Sequence, residues 1–271
     1  MSDQRIRFTL LGTGSSGGVP RVGGDWGACD PTEPRNRRRR CSALLETWSA
    51  ANQENKTTVL IDTSPDMREQ LLDAQVTRLD AVVFTHDHAD QTHGIDDVRA
   101  LAIRHRQQIN AYMDAATSRT LLPKFKYAFD GEGGYPAIYK LHPLIEAGRP
   151  FSISGPGGEV PLLPLDQEHG YIRSLGFRTG NLAYCNDLND WPDETKAHLQ
   201  DLDLLIVDAL RYTPHPSHAH LDQTLAWISE LKPKQAVLTN LHIDLDYATL
   251  IRDLPAGVEP GYDGWAFEST L

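Results

Sequence analysis

The chain has 271 residues, a formal net charge of −11, and 40% hydrophobic and 23% charged residues. This length and composition suit one large α/β domain with a substantial core, and we expect a single domain over residues 1–271. The acidic balance argues against a nucleic-acid-binding surface, which is normally basic. The local exception is the arginine run at 35–40, in the stretch PRNRRRR.

Cysteine content and hydropathy bear on the compartment. The three cysteines, Cys29, Cys41 and Cys185, are too few and too scattered for a disulfide framework, which indicates a reducing environment. No apolar stretch approaches the ~18 residues that a membrane span needs, and the first residues, MSDQRIRFTLLGTG, show no cleavage-site pattern. We therefore expect a cytoplasmic protein outside the membrane.

The predicted elements alternate between strands and helices. Apolar runs bounded by turn residues predict strands at IRFTLLG, TTVLID, LDAVVFT, AVLTN and WAFEST. Helical spacing of apolar residues predicts helices over 66–75, 94–105 and 221–231. YIRSLGFRTG and NLAYCND are predicted to form a hairpin through Gly180-Asn181, and 128–160 is predicted to be irregular. This mixture favours mixed sheets between helices over a doubly wound parallel sheet.

The first glycine-rich stretch looks like a dinucleotide-binding motif. Gly12, Gly14 and Gly17 satisfy G-x-G-x-x-G directly after a strand. That motif requires a helix to begin within it, so that the helix N-terminus meets the pyrophosphate. Pro20 and the glycines of VPRVGGDWG are incompatible with such a helix. A turn that approaches a ligand or another loop is therefore the better interpretation.

The stretch FTHDHADQTHGIDD places His86, His88 and Asp90 directly after a predicted strand. Imidazoles with a carboxylate are the ligands that Zn²⁺, Mn²⁺ or Fe²⁺ binds in proteins. A solvated polar loop is the alternative for this stretch taken alone.

Three more polar residues also follow predicted strands. His169 comes after EVPLLPL, Asp187 ends NLAYCND, and His242 follows AVLTN. A centre assembled from several strand ends, with one carboxylate placed to bridge two ions, requires this arrangement. Together the six residues predict a metal site.

Several motifs together resemble one family over nearly the whole chain. They are LGTGSSGGVP, Arg40-Cys41-Ser42, LIDTSPD with Asp62, THDHAD, LAYCND, PSHAHLD with His220-Leu221-Asp222, and GYDG. The chain resembles the metallo-β-lactamase superfamily and, within it, the phosphoribosyl cyclic phosphate phosphodiesterases. The resemblance implies an αββα sandwich of two mixed β-sheets flanked by helices.

The sequence departs from the superfamily pattern at two metal positions. The pattern HxHxDH has Gln91 at its sixth position, and Asn240 stands where the last metal histidine is expected. His93 and His242 each lie two residues beyond a missing histidine and are candidate replacements. On a helix i+2 points about 200° away, so His93 reaches a metal only if the helix has not yet begun. The amide oxygens of Gln91 and Asn240 are further candidates for a harder ion such as Mn²⁺.

Two other features differ from relatives or have more than one interpretation. Many relatives carry a structural zinc site whose positions here are Gly24, Trp26, Cys29 and Ile243, so we expect that zinc to be absent and Cys29 to be a packing residue. Arg37 to Arg40 form either a solvated face or a cluster that orders the glycine-rich loop or meets a phosphate.

The resemblance implies a metal-dependent phosphodiesterase with one or two Zn²⁺ or Mn²⁺ ions. By this resemblance, the first ion is held by His86, His88 and His169. Asp187 bridges the two ions, and Asp90 holds the second ion. A metal-bound hydroxide attacks a small, anionic, cyclic or nucleotide-like phosphodiester. By resemblance, His220 stabilises a phosphoryl oxygen or protonates the leaving group. Asp90 is a second predicted catalytic residue.

Three alternative functions remain open. They are hydrolysis of a carboxylic ester, lactone or thioester, endonucleolytic RNA processing, and non-catalytic nucleotide binding. The metal, the physiological substrate and the formation of a homodimer are also left open by the sequence.

Overall fold

The structure is a computed structural model that describes residues 4–271. The strands in this range are β1 (Gln4–Gly12), β2 (Ser42–Ser49), β3 (Asn52–Ile61), β4 (Ala81–Val83), β5 (Ile109–Tyr112), β6 (Tyr139–Leu141), β7 (Phe151–Gly155), β8 (Gly158–His169), β9 (Ile172–Thr179), β10 (Leu182–Cys185), β11 (Leu204–Asp208), β12 (Gln235–Thr239), β13 (Val258–Pro260) and β14 (Ala266–Thr270). The α-helices are α1 (Met67–Asp73), α2 (Ala89–Thr92), α3 (Arg99–His105), α4 (Ala115–Lys124), α5 (Lys126–Asp130), α6 (Asp193–Ala197), α7 (Leu221–Leu231) and α8 (Tyr247–Asp253).

The strands form two mixed sheets, as the sequence predicts. One has the order β14-β1-β2-β3-β4-β5-β6 and is parallel from β3 to β6. The other has the order β13-β12-β11-β10-β9-β8-β7 and is parallel from β10 to β13. The predicted hairpin at Gly180 joins β9 to β10 in antiparallel register, and Gly180 has φ +54°.

The chain divides into two compact units, each with a core of its own. The first contains residues 4–11, 42–162 and 266–271, and the second contains residues 12–41 and 163–265. Leu60, Val82 and Phe84 belong to the first core, and Leu205 and Trp227 belong to the second. Burying each such side chain contributes about 1.5–3 kcal/mol. The expectation of a single domain over 1–271 stays a prediction.

The helix predicted over 94–105 begins at Arg99, and residues 94–98 form turns. The backbone at Gly94 presses against the first turn after β3, because a Cβ there would lie 1.9 Å from the carbonyl oxygen of Ser64. The Gly94 N–H donates to the carbonyl of Thr63, which fixes this approach. Within the predicted irregular segment 128–160, the structure has the short strands β6 and β7 and the start of β8.

Polar residues follow the parallel strands of each unit. Asp62 directly follows β3, Asp187 is the second residue after β10, and Asn240 directly follows β12. All three have positive φ, at +61°, +53° and +63°. Asp and Asn are among the few residues that tolerate this left-handed region. The backbone turns sharply there, so each strand end presents a polar side chain.

Candidate metal centre

In the first unit, His86 and His88 lie in the loop between β4 and α2. His86 is buried, its ring centroid lies 4.6 Å from that of His88, and its Nδ1 lies 2.9 Å from Thr85 Oγ1. The Thr85 hydroxyl lies 2.7 Å from Asp62 Oδ2, and when Asp62 is ionised it donates to this carboxylate and can only accept from His86. In that state Nδ1 of His86 carries its hydrogen, and Nε2 has the free lone pair. Metal-ligating histidines are usually oriented in this way.

Asp62 anchors this arrangement from the end of β3. Its side chain is fully buried and also accepts the backbone N–H of Thr85 at 2.8 Å. Burial raises the pKa of Asp62 to about 8, against the opposing effect of the two hydrogen bonds from Thr85.

Asp90 and Gln91 lie one turn further along, on α2. Gln91 is fully buried, and its Nε2 donates to Asp90 Oδ2 at 3.3 Å. The backbone carbonyl of Gln91 accepts from Thr63 N–H, which ties α2 to the end of β3. The glutamine in the histidine position is thus an interior residue whose amide contacts an expected metal ligand.

In the second unit, His169, Asp187 and His218 form a cluster with metal-ligand geometry. One ligand atom from each lies within 4.8 Å of the other two. His169 ends β8, is buried, and has Nδ1 2.7 Å from the carbonyl oxygen of Ser217. That carbonyl accepts the Nδ1 hydrogen and leaves Nε2 basic. Two imidazoles and a carboxylate fit a divalent ion such as Zn²⁺.

His218 and its partner Asp208 are residues of this cluster that the sequence analysis missed. His218 Nδ1 lies 2.8 Å from Asp208 Oδ2, and its ring centroid lies 4.7 Å from that of His169. Asp208 ends β11 and is fully buried. A carboxylate only accepts, so Nδ1 of His218 carries the hydrogen and Nε2 is basic. A carboxylate behind an imidazole orients metal ligands and general acids alike.

Asn240 lies beside the same carboxylates. Its Nδ2 is 3.2 Å from Asp187 Oδ1 and 3.2 Å from Asp208 Oδ2. Three donors therefore converge on Asp208 Oδ2: Asn240 Nδ2, His218 Nδ1 and the Leu188 N–H. Asp208 Oδ1 is buried and has no hydrogen-bond partner among the described residues.

Three further predicted site histidines, His93, His220 and His242, contact residues outside the His169–Asp187–His218 cluster. His93 follows the last residue of α2, is exposed and packs its ring against Phe125 at 5.5 Å. His220 precedes α7 and has Nδ1 3.2 Å from Gln223 Oε1. His242 is held between the side chains of Asp244 and Arg21. None of the three belongs to a metal-capable cluster found within residues 4–271.

The arginine run is divided between surface and interior. Arg37 is exposed, whereas Arg38 is buried and donates to the carbonyls of Leu245 at 2.8 Å and His242 at 3.3 Å. Arg39 pairs with Asp263 at 3.1 Å. The main chain of Arg38 and Arg39 also hydrogen-bonds to Val19 and Gly14, so the run orders the glycine-rich loop, one of the three interpretations that the sequence left open.

The residues at the positions of the relatives' structural zinc pack together, and the buried Arg38 guanidinium lies 3.7 Å from Cys29 Sγ. Cys29 is buried beside Val19 and Ile243, with Trp26 packed against them. Burial raises the pKa of the Cys29 thiol. Cys29 is a packing residue here, as predicted.

Comparisons with known proteins identify the family. A family model described as the beta-lactamase superfamily domain matches residues 57–243. A crystal structure of a diphosphatase from the PhnP family is 34% identical, with a TM-score of 0.87 and 98% of each chain covered. Zinc-bound PqqB from Methylobacterium extorquens shares the fold at 16% identity, with a TM-score of 0.68 over 96% of this chain and 99% of that one.

The chain belongs to the metallo-β-lactamase superfamily, and the expected fold class is confirmed. Membership of this family supports a metal-dependent hydrolase, and the His169–Asp187–His218 cluster is of the kind that holds divalent ions. No helix within residues 4–271 has the length and apolarity to cross a membrane.

A curated relative also matches nearly the whole chain. The octanoyltransferase of Porphyromonas gingivalis is 32% identical over 263 residues, which are 96% of this chain and 51% of that protein. The chain thus spans about half the length of this relative.

Proposed function

We propose that the protein is a metal-dependent hydrolase of a phosphodiester or diphosphate bond in a small, anionic, nucleotide-like substrate. The His169–Asp187–His218 cluster carries this proposal, because each imidazole in it has an acceptor at Nδ1 that orients the ring. The similarity to the PhnP-family diphosphatase supports the bond type. His86, His88 and Asp90 stay in the proposal as metal ligands on the strength of the family resemblance.

A bound divalent ion, Zn²⁺ or Mn²⁺, would lower the pKa of water and offset charge on the phosphoryl oxygens. His169 and Asp187 would hold it through Nε2 and a carboxylate oxygen. Nε2 of His218 would carry the proton for the leaving alkoxide or phosphate, with Asp208 stabilising the imidazolium. We therefore assign to His218 the role that the resemblance gave to His220.

Substitution of each histidine tests that assignment. Hydrolysis of bis(p-nitrophenyl) phosphate, a 2′,3′-cyclic nucleotide and a dinucleoside diphosphate would be measured with Zn²⁺ and with Mn²⁺. We expect His218→Ala to lower kcat by about 10²–10⁴-fold, the usual contribution of a positioned acid. His198→Ala is the matched control, since His198 is exposed on the same unit. A larger fall in kcat for His220→Ala than for His218→Ala would show that His220, rather than His218, is the general acid.

A second candidate is hydrolysis of an acyl ester or thioester. It is favoured by the match to a protein named octanoyltransferase, although that name covers a chain about twice as long. The first unit also has a cavity of about 500 Å³ whose walls include Ala102, Ile103 and Pro136. Turnover of p-nitrophenyl octanoate faster than of every phosphodiester would establish this candidate. Failure on every substrate by fully metal-loaded protein would favour a binding role.

A further inference from the structure

Two amide side chains occupy the positions where the resemblance places imidazole ligands. Gln91 is on α2 in the first unit, and Asn240 follows β12 in the second. Both are buried, so each amide is positioned by protein atoms rather than by solvent. The direction of each amide therefore shows whether its oxygen or its NH2 group faces the neighbouring carboxylate.

Each amide directs its NH2 group at a carboxylate expected to bind metal. Gln91 Nε2 donates to Asp90 Oδ2 at 3.3 Å. Asn240 Nδ2 lies 3.2 Å from oxygens of both Asp187 and Asp208. A contact between an amide NH2 group and a carboxylate therefore occurs in each of the two units, with Asp90 in the first and Asp187 in the second.

The orientation of Asn240 follows from the network around it. Nδ2 faces two carboxylate oxygens and, at 3.1 Å, His218 Nδ1. A flipped amide would accept from His218 but would set Oδ1 against both carboxylates, and two acceptor–acceptor contacts outweigh one hydrogen bond. An NH2 group has no lone pair for a cation, but it carries two hydrogens with partial positive charge. Placed between two carboxylates, it partly offsets their charge in the position that a cation would otherwise take.

We infer that the chain holds one divalent ion, because Gln91 and Asn240 each present an NH2 group, rather than a ligand lone pair, to a carboxylate of their own unit. The inference rests on the proposed function in that His169 and Asp187 hold the ion, and it departs from the family resemblance in leaving Asp90 without a second ion to bind. In this arrangement neither amide presents an oxygen lone pair to a second cation, and each NH2 group offsets charge on a carboxylate that such a cation would need.

Metal content tests the inference without any substrate. The full chain would be loaded with excess Zn²⁺ or Mn²⁺, freed of unbound metal and measured by elemental mass spectrometry, with calorimetric titration of the apoprotein alongside. We expect one ion per chain for the wild type. Two ions, or none, would overturn the inference.

Restoring the imidazoles provides the reciprocal test. We expect Gln91→His combined with Asn240→His to raise the content towards two ions per chain. Gln200→His is the matched control, because it adds an imidazole at an exposed position and should leave the content at one. A folded double variant that still binds one ion would show that the amides do not determine the stoichiometry.

The single variants Asn240→His and Gln91→His provide the test if the double variant does not fold. We expect a second ion of low affinity in at least one of them, and its absence from both would count against the inference. Because metal content needs no turnover, failure of the hydrolysis assays leaves this result intact.

Discussion

Substitution of Arg38 is predicted to lower the stability of the protein. The buried Arg38 guanidinium links the glycine-rich loop region to the segment after β12. It is fully buried and donates to the carbonyls of Leu245 and His242 and to Asn36 Oδ1, at 2.8, 3.3 and 3.3 Å. Burial lowers the pKa of this guanidinium, which shows that its charge is costly to hold here. We expect Arg38→Met to destabilise the protein even though methionine fills much of the space.

The magnitude follows from the acceptors left behind. Two main-chain carbonyls lose a charged donor, and each buried acceptor without a partner costs about 1–3 kcal/mol. Removing a desolvated cation returns part of that free energy. The net loss should be about 2–4 kcal/mol, which corresponds to a fall in Tm of about 4–10 °C for a chain of this size.

Thermal and urea unfolding of the full chain would measure the effect. Arg37→Met is the control, since Arg37 is exposed and should change stability by less than about 0.5 kcal/mol. Equal Tm values for the two variants would refute the view that Arg38 cross-links these segments. Arg38→Lys should recover only part of the loss, because one ammonium cannot reproduce the planar set of donors.

Three more predictions concern single positions. Asp208→Asn should lower turnover by about 10–100-fold and displace the pH–rate profile, because Asp208 orients and stabilises His218; an unchanged profile would show that Asp208 is only structural. Gly94→Ala should cost about 3 kcal/mol or more in denaturant unfolding, because its Cβ would meet the Ser64 carbonyl at 1.9 Å, and wild-type stability would contradict that contact. Burial raises the pKa of Asp246, but hydrogen bonds from Asp30, Thr249 and Asn36 outweigh it and lower the pKa to about 2. Its folded pKa lies below the unfolded value of about 3.9, so its stabilisation is present above about pH 4 and is lost as the pH falls towards 2. The Tm difference between wild type and Asp246→Asn should therefore shrink over that range, and a constant difference would exclude this titration.

The local arrangement of the candidate metal site could be predicted from the sequence. The run LDAVVF followed by His86 and His88 places ligands at a strand end, and β4 and its loop have that arrangement. The β9–β10 hairpin could also be predicted, from strand periodicity and from Gly180. Both signals depend only on residues that are close in the chain.

The choice between His218 and His220 depends on tertiary structure. In PSHAHLD the two histidines are equivalent by residue type. The difference arises because α7 begins at Leu221, which leaves His220 at the helix start, while Ala219 bonds to Leu188 and Leu210 and places His218 beside Asp208. One signal was available: LDLLIVD ends in Asp208 just as NLAYCND ends in Asp187.

The strand-end geometry explains how the ligand set could change without a change of fold. At φ +63°, position 240 accepts few residue types, among which glycine, asparagine, aspartate and histidine are favoured. Histidine and asparagine are thus both compatible with the backbone there, and exchanging them alters the chemistry offered to Asp187 while the turn after β12 stays the same. A sequence reveals such an exchange at once. Its consequence depends on the direction of the amide, which only the surrounding carboxylates determine.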